Sequence, residues 1–236
     1  MTMGKVECKS INNPEWAAGD ACDFTLGNHT DVWRIESPAD TDHLTGLLTK
    51  AELERIQRYR NPADRNLRIT ARGTLKILLS KYTGIRVDEI TIEQSYGAKP
   101  RLAGAGNIEY SVSHSGKWVL IAVSSRQVGV DVENINPEFT GVDNVFSAAE
   151  NVWLRQAPDK TAAFFTLWTR KEALLKASGK GIINELDTVP CLDGAHAIPA
   201  ALELDGDWLL NSFAVDDAYA ASVASINGDL RFWDAE

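Results

Sequence analysis

Apolar and polar residues recur along this chain with two periods, which predict a mixture of strands and helices. Residues 89–96 alternate with the period of two that is typical of strands, and 31–37 and 127–135 are further strand candidates. Two strand-like runs, the second of them the continuous apolar run WVLIAVSS, flank the turn HSGK in a hairpin over 107–125. Helical spacing of three and four residues is found over 41–60, 61–84, 147–158 and 160–181. Residues after 190 are typical of short strands joined by turns at Asp205–Gly206 and Asp216–Asp217. The pattern therefore predicts an α+β fold.

Local signals mark the ends of two of these helices. Thr49 with Glu52 three residues later predicts a capping box at the start of one helix. For the helix over 61–84, Asn61 can cap the first turn, Pro62 suits the first helical position and Gly84 can end it. We expect this second helix to be the clearest in the chain.

The order of elements repeats weakly about 100 residues apart, which indicates two related units rather than a solenoid. In each unit a strand is followed by a helix and then a hairpin, and Thr70 corresponds to Thr169 and Trp118 to Tyr219. Chance is the alternative, because helix-then-hairpin is a common order. We predict a pseudo-dimer with an N-terminal subdomain over 1–125 and a C-terminal subdomain over 126–236. Residues 1–29 lack periodicity and are predicted to form an irregular leader.

Composition narrows the function classes. The chain has 236 residues, a formal net charge of −9 and 44% hydrophobic residues, so it can bury a full core but has little bulk attraction for nucleic acid or an anionic membrane. Three widely spaced cysteines and the lack of an apolar leader predict reduced thiols in a cytoplasmic protein without a membrane segment. An anionic ligand would need a local basic patch.

The run GVDVENI places two acids, Asp131 and Glu133, in a strand that otherwise builds core. Residues two apart in a strand share a face, so both carboxylates project together, away from Val130 and Val132. Two such charges repel each other unless a cation joins them, and hard oxygen ligands suit Mg²⁺. The plainer interpretation is a solvated strand end, and the acids alone do not exclude it.

Further polar residues are ordinary when taken singly. Glu172 and Lys176 share a helix face at a spacing of four, which an exposed surface pair would also do. Ser113 and His114 lie at the predicted turn, where a histidine is usually solvated or bonded to the backbone. A turn lysine such as Lys99 is generally just solvated. Basic residues cluster over 55–76 and form either a phosphate-binding patch or a solvated helical face; they are Arg55, Arg58, Arg60, Arg65, Arg68, Arg72 and Lys76.

Together, the runs SVSHSGKW, VGVDVE and LWTRKEALLKASGKGI resemble the 4′-phosphopantetheinyl transferases, in particular the longer single-chain class typified by the surfactin-synthetase activator. The family pattern W-x-x-K-E-[AS]-x-x-K corresponds to residues 168–176, and its G-K-P turn corresponds to GAKP with one extra residue. The resemblance covers about residues 50–185 and is loose outside them.

This resemblance implies a pseudo-dimer of two α+β subdomains with the active site at their interface. The implied reaction is Mg²⁺-dependent transfer of 4′-phosphopantetheine from coenzyme A to a serine of an apo acyl or peptidyl carrier protein, with release of 3′,5′-ADP. The implied metal ligands are Asp131, Glu133 and Glu172. Glu172 and Lys176 would be catalytic, with Glu172 taking the serine proton. Six residues occupy positions expected to contact coenzyme A: Arg55, Arg68, Lys99, Pro100, Ser113 and His114.

The resemblance also bears on partners. We expect an acidic carrier to dock on a local patch, with the apolar residues of NVFSAAENVWL as candidates, and we expect a monomer with one active site per chain. Two alternatives use the same residues. A Mg²⁺-dependent phosphoesterase acting on a nucleotide would turn over without a carrier, and a non-catalytic nucleotide-binding module would have no need of three acids.

Overall fold

The computed structural model describes residues 4–93, 98–104, 106–138, 145–181, 185–226 and 228–235. The helices in these ranges are α1 Asp42–Thr45, α2 Lys50–Ile56, α3 Pro62–Thr83, α4 Ala148–Gln156 and α5 Lys160–Ser178. The strands in these ranges are β1 Lys5–Ser10, β2 Trp16–Ala18, β3 His29–Glu36, β4 Ile92–Glu93, β5 Arg101–Leu102, β6 Glu109–Ser115, β7 Trp118–Ser124, β8 Val128–Asn134, β9 Gly194–Ala197, β10 Asp207–Asp216, β11 Tyr219–Ser225 and β12 Asp229–Asp234.

Two five-stranded sheets carry the same internal topology, which confirms the α+β pseudo-dimer. One sheet contains the order β3-β7-β6, with α3 between β3 and β6 in the chain. The other contains β8-β11-β10, with α5 between β8 and β10. Each half therefore has a strand, a helix and a hairpin whose second strand pairs antiparallel with the first strand. The repeat read from the sequence is thus a repeat of structure.

The two ends of the chain cross between the halves, and the expectation of an irregular leader is wrong. β1 pairs in parallel with β10, so residues near the N-terminus complete the sheet of the second half. β12 pairs in parallel with β3 and with β2, so residues near the C-terminus complete the first sheet. β1 does alternate, with Val6 and Cys8 buried between exposed polar residues, so a local signal was available there. β2 and β12 have no such alternation and depend on their distant partners. Residues 1–3 lie outside the described residues.

The helix ends follow the local signals. Thr49 and Glu52 form a capping box at the start of α2, with the Thr49 side chain accepting from the Glu52 backbone. The Asn61 side chain caps α3, Pro62 occupies its first turn, and Gly84 ends it in the left-handed conformation with φ of 71°. Local signals therefore set both ends of α3, the helix that packs on β6 and β7.

The strand predicted over 89–96 is only partly found. β4 covers Ile92–Glu93 and pairs with β5 in a small separate sheet. Residues 94–97, which include Gly97 of the GAKP turn, lie outside the described residues, as do Asn144 and Ile182 of the quoted runs. No helix in the described part of the chain is both long enough and apolar enough to span a membrane.

A shared core and two reciprocal contacts join the halves. Apolar side chains of β3 and β7 pack with those of β8 and of the β10–β11 hairpin. The repeat partners Trp118 and Tyr219 each reach the turn of the other hairpin. Trp118 Nε1 donates to Asp216 Oδ2 at 2.8 Å, and the Tyr219 hydroxyl accepts from the backbone N–H of Lys117 at 3.1 Å. Each hairpin therefore fixes the position of the other.

Gly129 lets α5 lie directly on β8. A Cβ at this position would collide with the carbonyl oxygen of Ala173 and would lie 2.5 Å from the backbone nitrogen of Ala177. Both atoms belong to the α5 backbone, which cannot move aside as a flexible side chain can. The glycine of the GVDVE run is thus explained by close packing of strand and helix.

We expect Gly129→Ala to lower the free energy of unfolding by about 2 kcal/mol or more, because α5 must move away from β8. Urea denaturation of the variant and the wild type would measure the change. Gly46→Ala is the matched control, since that glycine has φ of −63° and open space around its Cβ position. Equal stability of the Gly129→Ala protein and the wild type would contradict the packing argument.

Candidate active site

Serine side chains of β6 meet the edge of β8 and orient its two carboxylates. Ser113 Oγ donates to Asp131 Oδ1 at 2.8 Å, and Ser115 Oγ donates to Glu133 Oε2 at 3.0 Å. Ser111 Oγ accepts from the backbone N–H of Val130 at 3.1 Å. The alternation of β6 puts all three serines on the side of β8, so the first half holds the acids of the second half in place.

Helix α5 brings the remaining charged residues to the same place. Lys176 Nζ donates to Asp131 Oδ1 at 2.6 Å and to Ser113 Oγ at 2.7 Å. Glu172, one helical turn earlier, lines a recess together with Asp131, Glu133 and Lys176. The predicted grouping of the acids with Lys176 and Ser113 is therefore present in the fold, although the roles of these residues stay predictions.

Burial and the neighbouring Asp131 charge raise the pKa of both glutamates at this site. Burial, followed by the Asp131 charge, raises the pKa of Glu133, while hydrogen bonds from Ser115 and Trp168 oppose the rise. Burial and then the Asp131 charge also raise the pKa of Glu172, and the positive charge of Lys176 works against this. Both glutamates are therefore harder to ionise than in water, as expected for acids gathered at one site.

The donor chemistry of the recess fits a hard cation. Asp131 Oδ2 is buried and has no hydrogen-bond partner, whereas Oδ1 is held by Lys176 and Ser113. An unpartnered carboxylate oxygen beside two further acids suits Mg²⁺. Among the described residues, however, no three His, Cys, Asp or Glu side chains already stand close enough together to hold a metal ion. The ligand set remains a prediction that requires side-chain rearrangement.

A cavity of about 580 Å³ adjoins this recess and lies mainly between α3 and β6. His114, Glu172 and Lys176 line both spaces, while Ser113 lines only the recess. Of the six predicted coenzyme A contacts, five line the cavity: Arg55, Arg68, Lys99, Pro100 and His114. The fold thus gathers residues from three separate segments of the chain around one space.

Three of these basic side chains have structural partners as well. The Arg68 guanidinium lies 3.8 Å from the centre of the Tyr59 ring, and its Nε is buried without a hydrogen-bond partner. Lys99 Nζ donates to the carbonyl of Val128 at 2.8 Å, and burial lowers its pKa. His114 lies within β6, just before the turn, and burial followed by the Arg68 charge lowers its pKa. A neutral imidazole and a positive guanidinium thus face the cavity together.

The two lysines of the TRKEALLK run have different surroundings. Lys171 is 1% exposed and forms an ion pair of 2.9 Å with Glu150 on α4, as well as bonding to the backbone carbonyls of Leu186 and Val189. It therefore joins α4 to α5 and is not one of the residues that line the recess. Glu150 completes this link by capping α4 and accepting from Cys191 Sγ at 3.0 Å.

Sequence reasoning missed Tyr110, which lines the cavity and has a buried hydroxyl without a partner. Tyr110 lies four residues before His114, a predicted coenzyme A contact, and strand alternation turns both side chains to the same face. That shared face was the signal available in the sequence. An aromatic residue in a strand is so often simply core that the pattern alone did not select it.

The first half has no acids at the positions of the carboxylate pair. If Trp118 is aligned with Tyr219, Ile121 falls at Ser222, and their strand partners are Trp33 and Asp131. Continuing in the same register, Ile35 corresponds to Glu133. The repeat is thus structural, and the acids occur in its second copy.

The raised pKa of Glu172 predicts a pH-dependent stability difference when divalent cations are removed by a chelator. A group with a raised folded pKa contributes stability below its unfolded pKa of about 4.3, and that contribution is lost as the pH rises through the folded pKa. Glu172→Gln stays neutral and avoids this loss. We expect the melting temperature of the variant minus that of the wild type to become more positive from pH 4 to pH 8. A difference that does not change with pH would contradict the burial and repulsion described for Glu172.

Comparison with known proteins places this geometry in a family. A sequence model of the 4′-phosphopantetheinyl transferase superfamily matches residues 127–224, and a model of the N-terminal part of 4′-phosphopantetheinyl transferase matches residues 32–126. The chain is 30% identical over 223 residues to the 4′-phosphopantetheinyl transferase HetI of Nostoc sp., covering 88% of this chain and 93% of HetI.

Two relatives from Bacillus subtilis support the same assignment. A 4′-phosphopantetheinyl transferase is 25% identical over 203 residues, and the 4′-phosphopantetheinyl transferase Sfp of strain 168 is 23% identical over 201 residues. Each alignment covers 82% of this chain and 89% of the relative. The chain therefore belongs to the 4′-phosphopantetheinyl transferase superfamily and is an enzyme that transfers 4′-phosphopantetheine to carrier proteins.

Proposed function

We propose that coenzyme A binds in the cavity between α3 and β6, with its pyrophosphate at the carboxylate end. The observation that carries this proposal is the convergence of basic side chains from distant segments on one cavity that opens toward Asp131 and Glu172. In a chain of net charge −9, such local clustering is what an anionic ligand requires. Arginines bind phosphate oxygens through paired donors, which suits Arg55 and Arg68 to the phosphates of the nucleotide.

Asp131, Glu133 and Glu172 are the residues that would hold Mg²⁺. Their oxygen donors and the unpartnered Asp131 Oδ2 support this choice. A bound Mg²⁺ supplies charge neutralisation for the pyrophosphate and for the departing bisphosphate. Ser113 and Ser115 orient two of these acids from the neighbouring strand, so the ligand set depends on both halves of the fold.

The protein's own side chains carry the proton transfer. The serine Oγ of the apo carrier attacks the phosphorus that bears the pantetheine arm, forming a P–O bond and breaking the bond to the bridging oxygen. 3′,5′-ADP leaves with that oxygen, and the serine proton passes to a carboxylate oxygen of Glu172. A raised pKa makes Glu172 a better proton acceptor than an ordinary glutamate while it is ionised. Lys176, held by Asp131 and Ser113, presents its positive charge to the transferred phosphate.

Incubation with coenzyme A, Mg²⁺ and an apo carrier, followed by mass spectrometry of the carrier, tests this function. We expect Asp131→Asn to lower the transfer rate by about 100-fold or more, because it removes a metal-binding charge while keeping the shape of the side chain. Glu203→Gln is the matched control, since that exposed acid pairs only with Lys180 at 2.6 Å in the contacts described. Retained transfer in Asp131→Asn would show that the metal site is wrongly assigned.

No observation favours the phosphoesterase or the binding module, and the same assay addresses both. A phosphoesterase would release product without a carrier, and a binding module would add no mass to any carrier. The monomeric state and the cytoplasmic location also remain predictions.

The carrier would dock on the exposed apolar part of α4. Val152 is 45% exposed and Trp153 is 41% exposed, whereas most large apolar side chains of the described chain are buried. Exposed aromatic residues are frequent anchors of protein interfaces. The buried ion pair between Glu150 and Lys171 joins this helix to α5. A carrier bound to α4 would therefore be held at a fixed position relative to Glu172 on α5.

We expect Trp153→Ser to raise the KM for the carrier about tenfold and to leave the KM for coenzyme A unchanged, since the loss of one exposed anchor weakens only the carrier contact. Steady-state kinetics with each substrate varied in turn would measure both values. Tyr59→Ser is the converse control: it should change the KM for coenzyme A and leave the KM for the carrier unchanged, because Tyr59 is exposed like Trp153 but lines the cavity. An unchanged carrier KM in Trp153→Ser would remove α4 as the docking surface.

A further inference from the structure

The walls of the cavity have a definite order along their length. On α3 the lining residues are Arg68, Ala71, Arg72 and Leu75, which recur three and four apart and so form one helical stripe. On β6 the residues turned away from the serines are Tyr110, Val112 and His114. Side chains four residues apart on a strand lie about 13 Å from each other, so Tyr110 and His114 mark different depths of the cavity.

The charged side chains of α3 are arranged in the same order along the cavity. The Arg68 charge acts on His114 at the end near the carboxylates, whereas the Arg72 charge acts on Tyr110, one helical turn further along α3. Arg72 also pairs with Glu52 on α2 at 2.6 Å. The Tyr110 end is therefore polar but locally compensated, and it lies away from Asp131 and Glu133.

The hydroxyl of Tyr110 has no hydrogen-bond partner, unlike the hydroxyls of the buried Tyr219 and the half-buried Tyr82. Tyr110 is 3% exposed, and its oxygen is buried with no hydrogen-bond partner. By contrast, the Tyr82 hydroxyl donates to Asp31 at 2.6 Å and accepts from Trp33 at 3.0 Å, and the Tyr219 hydroxyl accepts from Lys117. A buried hydroxyl without a partner destabilises the fold, and a phenylalanine would avoid that loss.

We propose that the Tyr110 hydroxyl is a substrate-binding group that hydrogen-bonds the adenosine 3′-phosphate portion of coenzyme A at the end of the cavity remote from the carboxylates. The proposal rests on the placement of coenzyme A argued above. The nucleotide offers phosphate, ribose and base acceptors, and a tyrosine hydroxyl can donate to any of them. Tyr110 is thus a residue that recognises the nucleotide without touching the reacting phosphorus.

Tyr110→Phe tests the proposal, because it removes one oxygen atom and keeps the ring. We expect the KM for coenzyme A to rise about tenfold with kcat within about twofold of the wild type, since a remote substrate bond contributes to binding rather than to the chemical step. Titration calorimetry of coenzyme A should show the same loss of affinity. The melting temperature should be equal to or above that of the wild type, because the hydroxyl has no partner in the ligand-free fold.

Tyr82→Phe is the matched control. It also removes one tyrosine hydroxyl, but that hydroxyl is half-buried, holds Asp31 and does not belong to the residues that line the cavity. We expect a lower melting temperature and an unchanged KM for coenzyme A. The two variants should therefore show opposite patterns of stability and affinity, which a merely structural role for Tyr110 would not produce.

Repeating the titration with 3′-dephospho-coenzyme A identifies the acceptor. If the defect of Tyr110→Phe disappears with this analogue, the hydroxyl binds the 3′-phosphate, and if the defect persists, it binds the ribose or the base. An unchanged KM and affinity in Tyr110→Phe, or a lower melting temperature without loss of affinity, would overturn the proposal. Wild-type transfer is measured first, so that a failure of the function itself is distinguished from a failure of this inference.

Discussion

The contact between the serines of β6 and the edge of β8 is the interaction on which the candidate site depends. Both strands are at the edge of their sheets, and an edge strand exposes backbone groups that need partners. Side-chain oxygens of Ser111 and Ser115 accept from backbone N–H groups of β8, while Ser113 and Ser115 donate to its acids. One set of bonds therefore both joins the two sheets and aims the carboxylates. This arrangement explains why an S-x-S-x-S run and a D-x-E run on two different sheets share the same two-residue spacing.

Helix α5 has two faces with different uses. Glu172 and Lys176 are four residues apart and turn toward β8 and β6, where Lys176 bonds to Asp131 and Ser113. Lys171 is five residues from Lys176 and so points elsewhere on the helix, into a buried ion pair with Glu150. A buried charge that loses its partner destabilises the fold, so separating α4 from α5 would be unfavourable. This pair therefore holds the two helices in one arrangement. The close contact at Gly129 sets the distance of the same helix from β8.

The crossing of the chain ends strengthens the joint between the halves. β1 and β12 each complete the sheet of the opposite half, and two ion pairs secure the second crossing. Arg231 of β12 bonds to the buried Asp31 of β3, and Arg34 of β3 bonds to Asp234. Separating the halves would therefore break backbone ladders as well as the shared core. That rigidity suits a site whose charged groups come from both halves.

Local signals in the sequence were sufficient for much of the architecture. Caps at Thr49 and Asn61, the left-handed Gly84 and the alternation in β6 and β8 depend on neighbours within a few residues, so they can be read from the chain directly. The shared direction of Asp131 and Glu133 was also accessible, because residues two apart in a strand lie on one face, whereas Glu172 was added to them by the family resemblance. The pairing of the strands at the chain ends was not accessible, since their partners lie about 200 residues away in sequence.

By itself, the sequence indicated the order of elements in the two repeated units, several helix ends and most of the residues with the chemistry for phosphate and metal binding. Only the tertiary structure decided which of those residues lie together. It separated Lys171 from Lys176, gave Asp131 its serine and lysine partners, and left the Tyr110 hydroxyl buried and unpaired beside a cavity. The physical reason is that backbone periodicity sets the direction of a side chain along its own element, whereas its partners, burial and pKa are set by elements that fold against it from elsewhere in the chain.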